Sequence, residues 1–268
     1  MKPLILITND DGFAAKGLRT LDEVAMEFGD VVVMAPEHNS SGKSHSLTTE
    51  RPLRVRTVKQ SAGLDVYACD GTPVDCVKLA VEYFCPRQPD LVLSGINHGS
   101  NHGSNSSINV LYSGTMGAVI EATALGIDAI GFSLLNHNPE ADFSACVPFV
   151  RHIIGSVLEK GLPADVSLNV NIPRLPVEEI KGIRICHEAK ARWVDSFERR
   201  TDPIGRPYWW LTGKFECSDP PESSDEWALS HGYVSVVPTR PDFTNYDAID
   251  KLTSLAIDQP LGAPFRGQ

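Results

Sequence analysis

The chain has 268 residues, of which 42% are hydrophobic and 22% are charged, and its formal net charge at pH 7 is −10. The composition is that of an ordinary globular protein, and the length fits one large α/β domain or two small ones. The negative charge argues against a nucleic-acid groove and against an anionic membrane surface as partner. Small phosphorylated ligands stay open, because a metal ion and helix N-termini bind phosphate without a basic surface.

The sequence predicts a cytoplasmic protein. The first residues enter an apolar strand without a secretory signal pattern, and no apolar stretch is long enough to span a bilayer. The six cysteines are scattered and form no Cys-x-x-Cys pair. Such spacing favours buried thiols over disulfides or zinc ligands, so a reducing compartment is expected.

Strand and helix signals alternate through the first two thirds of the chain. Short apolar or alternating runs predict strands, and apolar residues at helical spacing predict helices. The predicted strands are 4–7, 31–35, 53–58, 90–93, 129–133 and 168–172, and the predicted helices are 17–28, 74–84, 115–125 and 143–158. Thr72 is the predicted N-cap of the second helix, with proline after it. This rhythm predicts an α/β fold with a doubly wound, mostly parallel sheet and helices on both faces.

The strand–helix rhythm stops at about Cys186. A turn at 202–205 precedes an aromatic run at 208–211, and 233–237 predicts a late strand. We expect one domain over 1–268, with the α/β core at about 1–186. A C-terminal extension of β-hairpins and loops at about 187–268 should pack on that core. The tryptophans at 209, 210 and 227 serve either subunit contacts or satellite core packing.

Two adjacent carboxylates, Asp10 and Asp11, follow the first predicted strand. Neighbouring carboxylates repel each other unless a cation holds them, and ligands bind outside the carboxyl ends of strands in open α/β sheets. The pair therefore predicts a metal site. Turn formation is an equal alternative, because Asp and Gly also favour turns.

Four polar segments follow predicted strands: 9–12, 39–42, 94–97 and 112–115. In a doubly wound sheet they should converge on one rim. Their carboxylate, hydroxyl and amide oxygens suit Mg²⁺, Mn²⁺ or Ca²⁺ rather than zinc. Ser113, Gly114 and Thr115 open a predicted helix, whose first amides either hold a phosphate or are simply capped by a side chain.

A tandem His-Gly-Ser-Asn repeat lies at 98–105 and must be a loop. For His102 we expect exposure to solvent, whereas for His98 solvent exposure, a metal-ligand role and a general-base role all stay open. No Gly-x-Ser-x-Gly elbow occurs. Gly42-Lys43-Ser44 is discounted as a phosphate loop, because Glu37 stands where the first glycine is required.

Several motifs occur in a specific order along the chain. They are Asn9-Asp10-Asp11-Gly12, 35–42, 71–77, Ser94-Gly95-Ile96-Asn97 and Tyr112-Ser113-Gly114-Thr115, followed by 168–173, 181–184 and 232–235. The ordered set resembles the SurE family of metal-dependent phosphatases, which act as 5′/3′-nucleotidases. The resemblance extends over nearly the whole chain, to about Leu255.

The resemblance implies a Rossmann-like α/β core with a C-terminal hairpin extension exchanged between the subunits of a homodimer or homotetramer. It implies one divalent cation per subunit, Mg²⁺ or Mn²⁺, with Ca²⁺ as an alternative in crystals. The implied metal ligands are Asp10, Asp11, Ser41 and Asn97. Of these, Asp10, Asp11 and Asn97 are the expected catalytic residues. The expected substrate- and phosphate-binding residues are Asn9, Gly42, Ser113, Gly114 and Thr115.

The implied activity is that of a 5′-nucleotidase, a phosphomonoesterase that converts nucleoside 5′- and 3′-monophosphates to nucleoside and phosphate. The alternatives are a non-catalytic nucleotide sensor and a receiver-like signalling module. A receiver needs a lone Asp after a central strand, and the strand at 90–93 offers none. Two features depart from the family pattern: the loop from Asn97 to Tyr112 is long, and Asn109 stands where many members carry an acidic residue. Both bear on substrate preference more than on the metal site.

Overall fold

A computed structural model describes residues 2–99, 105–136, 138, 140–218, 220–253 and 255. The strands are β1 Leu4–Thr8, β2 Asp30–Pro36, β3 Val55–Ser61, β4 Leu64–Cys69, β5 Leu91–His98, β6 Ala129–Leu134, β7 Ser167–Ile172, β8 Ile183–Ile185, β9 Arg192–Thr201, β10 Pro207–Glu216 and β11 Val234–Thr239. The helices are α1 Lys16–Ala25, α2 Pro73–Leu79, α3 Gly114–Ala124, α4 Val147–Lys160, α5 Asp225–Ser230 and α6 Tyr246–Thr253. A π-helical turn, Ala80–Phe84, extends α2, and 3₁₀ turns cover Ser107–Tyr112, Ser144–Cys146 and Val177–Glu179.

Nine of the described strands form one sheet in the order β3-β4-β2-β1-β5-β6-β7-β11-β8. The six strands from β4 to β7 run parallel. Their carboxyl ends therefore share one rim, where Thr8 of β1 pairs with Ser94 of β5. The prediction of a mostly parallel α/β sheet is confirmed.

The sheet is covered on both faces. One core cluster joins alternate strand residues such as Ile5 and Ile7 to the apolar stripes of α1 and α4. The other cluster joins Leu4 and Leu6 to α2 and α3. Alternate residues of a single strand thus pack into both core clusters, because successive side chains point to opposite faces of the sheet. This is the doubly wound arrangement that the strand–helix rhythm predicted.

The carboxyl half of β5 differs from its prediction. The sequence placed the strand end before Ser94, but β5 continues to His98. Its pairing with β6 shifts register between Ser94 and Asn97, and Asn97 then pairs with Ser133. The extra residue is a β-bulge, which re-aims side chains at a strand end. Asn97 therefore lies on a strand rather than on a loop.

The C-terminal third contributes one strand to the main sheet. The sequence predicted hairpins and loops packed on the core, yet β11 lies between β7 and β8, antiparallel to β7. Val234 and Val236 are buried in the core that contains α1 and α4. The late strand predicted at 233–237 is therefore present as β11, and it belongs to the main sheet. The strand–helix rhythm does not indicate where a strand that is distant in sequence inserts into a sheet.

Strands β9 and β10 form a separate two-stranded antiparallel sheet, as the turn at 202–205 predicted. Gly205 has φ +83° and closes the turn with a hydrogen bond to the Asp202 carbonyl oxygen. Trp209 and Trp210 are more than half exposed, so neither belongs to a satellite core in this chain. Trp227 differs, because its ring stacks on His231.

The cysteines and the helices can be compared with what the composition predicted. All six cysteines are free thiols, four of them buried and two half-buried. Across the described residues, no helix has both the length and the apolar character needed to cross a membrane.

Candidate active site

The Asp10–Asp11 pair lies in a tight turn at the carboxyl end of β1. Asn9 builds this turn: its side-chain Nδ2 donates to the Gly12 carbonyl oxygen at 3.1 Å, and its Oδ1 accepts from the Gly12 N–H at 3.2 Å. Gly12 has φ +106°, a conformation that favours glycine. The fully buried Asn9 side chain thus shapes the turn that presents the two carboxylates.

The Asp10 carboxylate is buried against the start of α3. Thr115 Oγ1 donates to Asp10 Oδ1 at 2.7 Å. A Cβ atom at Gly114 would lie 2.8 Å from Asp10 Cβ, so glycine is needed for this close approach. Burial, and then the charge of Asp11, raise the pKa of Asp10 to about 6, although Thr115 opposes the shift. The anionic form of Asp10 is therefore less favourable here than in water, and a bound cation would offset that cost.

Asp11 occupies a similar environment. Its side chain is 7% exposed, and His98 Nδ1 lies 3.3 Å from its Oδ2. Burial raises the pKa of Asp11, while the charge and hydrogen bond of His98 oppose that shift. His98 also meets the Phe143 ring edge-on. Of the alternatives for His98, exposure to solvent on a free loop does not hold, whereas residues 100–104, including His102, lie outside the described residues.

Ser41 and Gly42 lie on a loop that is tied to the carboxylate turn. The Ser40 N–H donates to the Asp10 carbonyl oxygen at 2.7 Å. Downstream, Ser44 Oγ donates to the Leu111 carbonyl oxygen at 2.6 Å, just before the start of α3. Gly42 has φ +75° and no neighbour at its Cβ position, so the loop leaves open space there.

The same loop is anchored to the N-terminus of α2. Thr72 caps α2 as predicted, because its hydroxyl accepts from the Asp75 N–H. Asp75 Oδ2 accepts from the Thr72 N–H at 2.8 Å, and its other oxygen accepts from the Thr48 N–H at 3.0 Å. Thr72 Oγ1 also donates to the Ser46 carbonyl oxygen at 2.7 Å. The capping motif therefore holds the loop as well as the helix, which the sequence pattern did not indicate.

The N-terminus of α3 bears on both alternatives considered for residues 113–115. Ser113 Oγ accepts from the Met116 N–H at 3.0 Å, so Ser113 is an N-cap. The Thr115 side chain is directed to Asp10. The start of α3 thus stabilises a carboxylate of the chain, and Ser113 is the member of the trio that lines the cavity beside it.

A cavity of about 590 Å³ opens at this rim. Five of the predicted site residues line it: Asp10, Ser41, Gly42, Asn97 and Ser113. Asp11, Asn9, Gly114 and Thr115 are not among its lining residues, and the last three support the Asp10 turn from behind. The predicted residues therefore form two groups: those that line the cavity, and those that support the turn of Asp10.

The rest of the cavity wall was not predicted as part of the site, although the sequence connected Asn109 with substrate preference and placed Tyr112 in a family motif. It includes Asn105, Asn109 and Tyr112 from the segment before α3, and Trp193, Asp195 and 211–213 from the β9–β10 hairpin. Trp193 Nε1 donates to Asn109 Oδ1 at 2.7 Å and so joins the two segments. No local signal marks the hairpin residues as part of the wall, since 84 positions separate Trp193 from Asn109.

The donor set of this site fits a hard divalent cation. Asp10, Ser41 and Asn97 bring a carboxylate, a hydroxyl and an amide to one cavity, and Asp11 adds a second carboxylate next to Asp10 in the turn. Burial raises the pKa of both carboxyl groups. Oxygen donors of this kind suit Mg²⁺, Mn²⁺ or Ca²⁺. Among the described residues, no cluster of three His, Cys, Asp or Glu side chains is placed to hold a metal. The site thus differs from the His- and Cys-rich sets typical of zinc.

Comparison with known proteins agrees with this arrangement. The family described as survival protein SurE matches residues 5–195. The 5′-nucleotidase SurE of Christiangramia forsetii is 51% identical over 259 residues, which cover 96% of this chain and 98% of that protein. The 5′-nucleotidase SurE of Flavobacterium psychrophilum is 50% identical over 254 residues, covering 94% and 97% of the two chains.

A solved structure extends the likeness to three dimensions. The crystal structure of the SurE protein from Aquifex aeolicus superposes with a TM-score of 0.80 at 38% sequence identity. The match covers 95% of this chain and all of that one. With its family match, full-length relatives and shared fold, the chain belongs to the SurE family.

Proposed function

We propose that this chain is a divalent-metal-dependent phosphomonoesterase that hydrolyses nucleoside 5′- and 3′-monophosphates to nucleoside and phosphate. Relatives that are half identical over nearly their whole length carry the name 5′-nucleotidase SurE. The observation that carries the proposal is the cavity that buried Asp10 lines together with Ser41, Asn97 and Ser113, the N-cap of α3. Asp11 is the neighbour of Asp10 in the same turn.

Asp10, Asp11, Ser41 and Asn97 would hold the ion, with Mg²⁺ or Mn²⁺ favoured by their oxygen donors. When bound, such an ion offsets the repulsion between the two carboxylates, polarises phosphorus–oxygen bonds and lowers the pKa of water. Thr115 keeps the Asp10 carboxylate in position, and Asn9 holds the turn that presents it. The chain itself thus supplies a preorganised anionic cradle.

The phosphate would lie between the ion and the start of α3. Gly42 leaves open space on one side, and Ser113 lines the cavity on the other. Amide groups at a helix N-terminus favour negative charge, so they would stabilise the charge on the transferring phosphoryl group. Gly114 contributes by its small size, because it lets α3 approach Asp10.

The nucleoside would fill the remainder of the cavity. A volume of about 590 Å³ exceeds the need of a phosphate group alone, and the remaining lining residues include the aromatic side chains of Tyr112 and Trp193. Base–aromatic stacking is tolerant of base identity and contributes about 1–3 kcal/mol per base. The wall therefore suits nucleoside monophosphates as a class.

Domain organisation and assembly follow the same proposal. The chain is one domain over 1–268, with a core at about 1–186 and an extension at about 187–268 that contributes the strand β11 to the core sheet. The extension forms a homodimer or homotetramer through the exposed faces of β9 and β10, and the protein acts in the cytoplasm. Apolar side chains on the hairpin, such as Trp210 and Leu211, are more than half exposed, which supports an interface there.

Phosphate release from AMP by the purified chain, with Mn²⁺ or Mg²⁺ and with a chelator, tests the proposal. We expect turnover with either ion, none with chelator, and none in Asp10→Asn, whose far-UV circular dichroism should match the unaltered chain. Binding of AMP without phosphate release would instead indicate a nucleotide sensor. Near-normal turnover in Asp10→Asn would contradict the proposed role of Asp10 in the site.

A further inference from the structure

Two segments that are distant in sequence form the part of the cavity wall that holds no predicted metal ligand. One segment carries Asn105 and Asn109, and the other begins β9 with Trp193. At the cavity they meet through the hydrogen bond from Trp193 Nε1 to Asn109 Oδ1. A single hydrogen bond between side chains does not fix the relative position of two backbones, so the packing behind the wall matters.

Asp225 lies behind both segments. Its side chain is fully buried at the start of α5. Oδ2 accepts from the backbone N–H of Ser107 at 2.8 Å, and Oδ1 accepts from the backbone N–H of Ala189 at 2.9 Å. Each oxygen thus binds a different wall segment, and charge-assisted hydrogen bonds of this kind are the strong ones.

Ser107 closes the arrangement. Its hydroxyl donates to the Ala189 carbonyl oxygen at 2.7 Å, which joins the two segments directly beside Asp225. Its backbone has φ +52°, a left-handed conformation that is unfavourable for serine. Such a conformation persists where surrounding contacts over-determine it. Next to it, Ser106 Oγ donates to Glu226 Oε1 at 2.6 Å, which ties the same segment to α5 a second time.

Capping of α5 accounts for only part of the contacts of Asp225, whose Oδ1 also accepts from the Glu226 N–H at 2.8 Å. Ser224 already caps this helix, because its hydroxyl accepts from the Trp227 N–H. The bonds from the Ser107 and Ala189 N–H groups to Asp225 therefore serve tertiary structure rather than the start of the helix. A buried carboxylate with no such role would cost stability, since burial disfavours the charge.

We propose that Asp225 is a positioning residue for the nucleoside: it holds the Asn105–Asn109 segment against the Trp193 segment and so sets the shape of the wall that the nucleoside contacts. This inference rests on the proposed nucleotidase function. Asp10 and the Ser41 loop have contacts of their own with α2, with Thr115 of α3 and within the turn after β1. The Ser41 loop meets the wall segment at Leu111, which lies C-terminal to the Asp225 contact at Ser107. Loosening the wall should therefore weaken nucleoside binding without changing the handling of the phosphate.

The test compares Asp225→Asn with the unaltered chain on two esters. The amide can accept from only one of the two N–H groups, and its own NH₂ faces the other. We expect KM for AMP to rise about fivefold or more with kcat within about twofold, the pattern of lost uniform binding. The kcat/KM for p-nitrophenyl phosphate, which lacks a nucleoside, should stay within about twofold.

Asp128→Asn is the matched control. The Asp128 carboxylate also accepts a backbone N–H, from Leu162 at 3.0 Å, but at the opposite rim of the sheet. In Asp128→Asn, the KM for AMP and the kcat/KM for p-nitrophenyl phosphate should stay within about twofold of the values for the unaltered chain. The proposal would be overturned if Asp225→Asn lowered kcat/KM equally for AMP and p-nitrophenyl phosphate, or if it left the KM for AMP unchanged.

Hydrogen–deuterium exchange of the metal-free full chain separates this inference from the proposed function. Peptides covering 105–112 and 187–195 should exchange about tenfold faster in Asp225→Asn and at the original rate in Asp128→Asn. Unchanged exchange in both peptides would overturn the positioning role. If the unaltered chain releases phosphate from neither ester, the nucleotidase proposal fails while the exchange result stands.

Ser107→Ala covers the case in which Asp225→Asn does not fold. It removes the bond to the Ala189 carbonyl oxygen but keeps the Asp225 carboxylate. The KM for AMP should rise in the same direction by a smaller factor, with p-nitrophenyl phosphate unaffected. An unchanged KM for AMP together with unchanged exchange at 105–112 would overturn the proposal.

Discussion

The Thr115 hydroxyl donates a 2.7 Å hydrogen bond to Oδ1 of Asp10, which joins the start of α3 to the turn after β1. Both residues are buried, so the bond lies away from competing water. A residue that the sequence indicated for phosphate thus stabilises the carboxylate that is expected to hold the metal. Contacts within the chain thus position this carboxylate without a ligand.

We therefore expect Thr115→Val to lower the free energy of unfolding by about 1–3 kcal/mol, because it leaves a buried carboxylate oxygen without its donor. It should also weaken Mn²⁺ binding, measured by calorimetric titration, since Asp10 loses its orientation. Thr123→Val is the matched control on the same helix, because that hydroxyl donates to the Val119 carbonyl oxygen, away from the site. Equal Mn²⁺ affinities in the two variants would contradict the expectation.

Asp75→Asn tests the anchor of the loop that carries Ser41. Asparagine can accept from the Thr72 N–H or from the Thr48 N–H but not from both. We expect a loss of about 1–3 kcal/mol in the free energy of unfolding and faster amide exchange over 44–49. Asp70→Asn, which alters a more exposed acceptor of the Arg54 N–H, is the control. Slow exchange over 44–49 in Asp75→Asn would show that the capping motif serves α2 alone.

Glu226 should make stability depend on pH. Burial raises its pKa from 4.5 to about 7, with Asp225 adding to the shift and the Ser106 hydrogen bond opposing it. Since the folded state binds this proton more tightly than the unfolded chain, the free energy of unfolding should fall as pH rises from about 4.5 through about 7. Urea unfolding at pH 5 and pH 8 measures the difference.

Glu226→Gln isolates that contribution from the other titrating groups. The glutamine carbonyl oxygen can still accept from Ser106, but it has no charge to bury. Its fall in stability between pH 5 and pH 8 should be smaller than that of the unaltered chain. Identical falls would mean that Glu226 titrates at an ordinary pKa in the folded protein.

The exposed aromatic residues of β10 should mediate the proposed assembly. Trp209 and Trp210 are 56% and 57% exposed on a hairpin that extends from the sheet. Light scattering after gel filtration should show a dimer or tetramer for the unaltered chain and a monomer for the double variant Trp209→Ser, Trp210→Ser. Tyr83→Ser, at a residue that is 75% exposed beyond α2, should leave the mass unchanged. A monomeric unaltered chain would refute assembly through this hairpin.

Much of the site followed from local patterns. Asp10 comes two residues after β1 and Ser41 follows β2, and in a parallel sheet the carboxyl ends of strands share one rim. Their convergence therefore needed only the strand positions and the sheet type. Asn97 converged as well, although through a bulge within β5 rather than after its end.

Other features had no local signal. The contacts of Asp225 with Ser107 and of Trp193 with Asn109 join residues more than 80 positions apart. Thr115 was recognised at a helix start, but which anion it faces depends on where β1 ends in space. The position of β11 beside β7 also had no local signal. An alternating strand can pair with any exposed edge of matching length, so its sequence does not specify its neighbour.

The sequence by itself thus determined the α/β class, the succession of core strands and helices along the chain, the cap at Thr72, and the family resemblance. These depend on residue spacing and on contacts within a few positions, which a linear pattern records. Only the tertiary structure decided that Thr115 holds Asp10, that Asp75 anchors the Ser41 loop and that the hairpin walls the cavity. Such contacts depend on packing between distant segments, and a buried hydrogen bond needs its partner at a distance and angle that no spacing along the chain specifies.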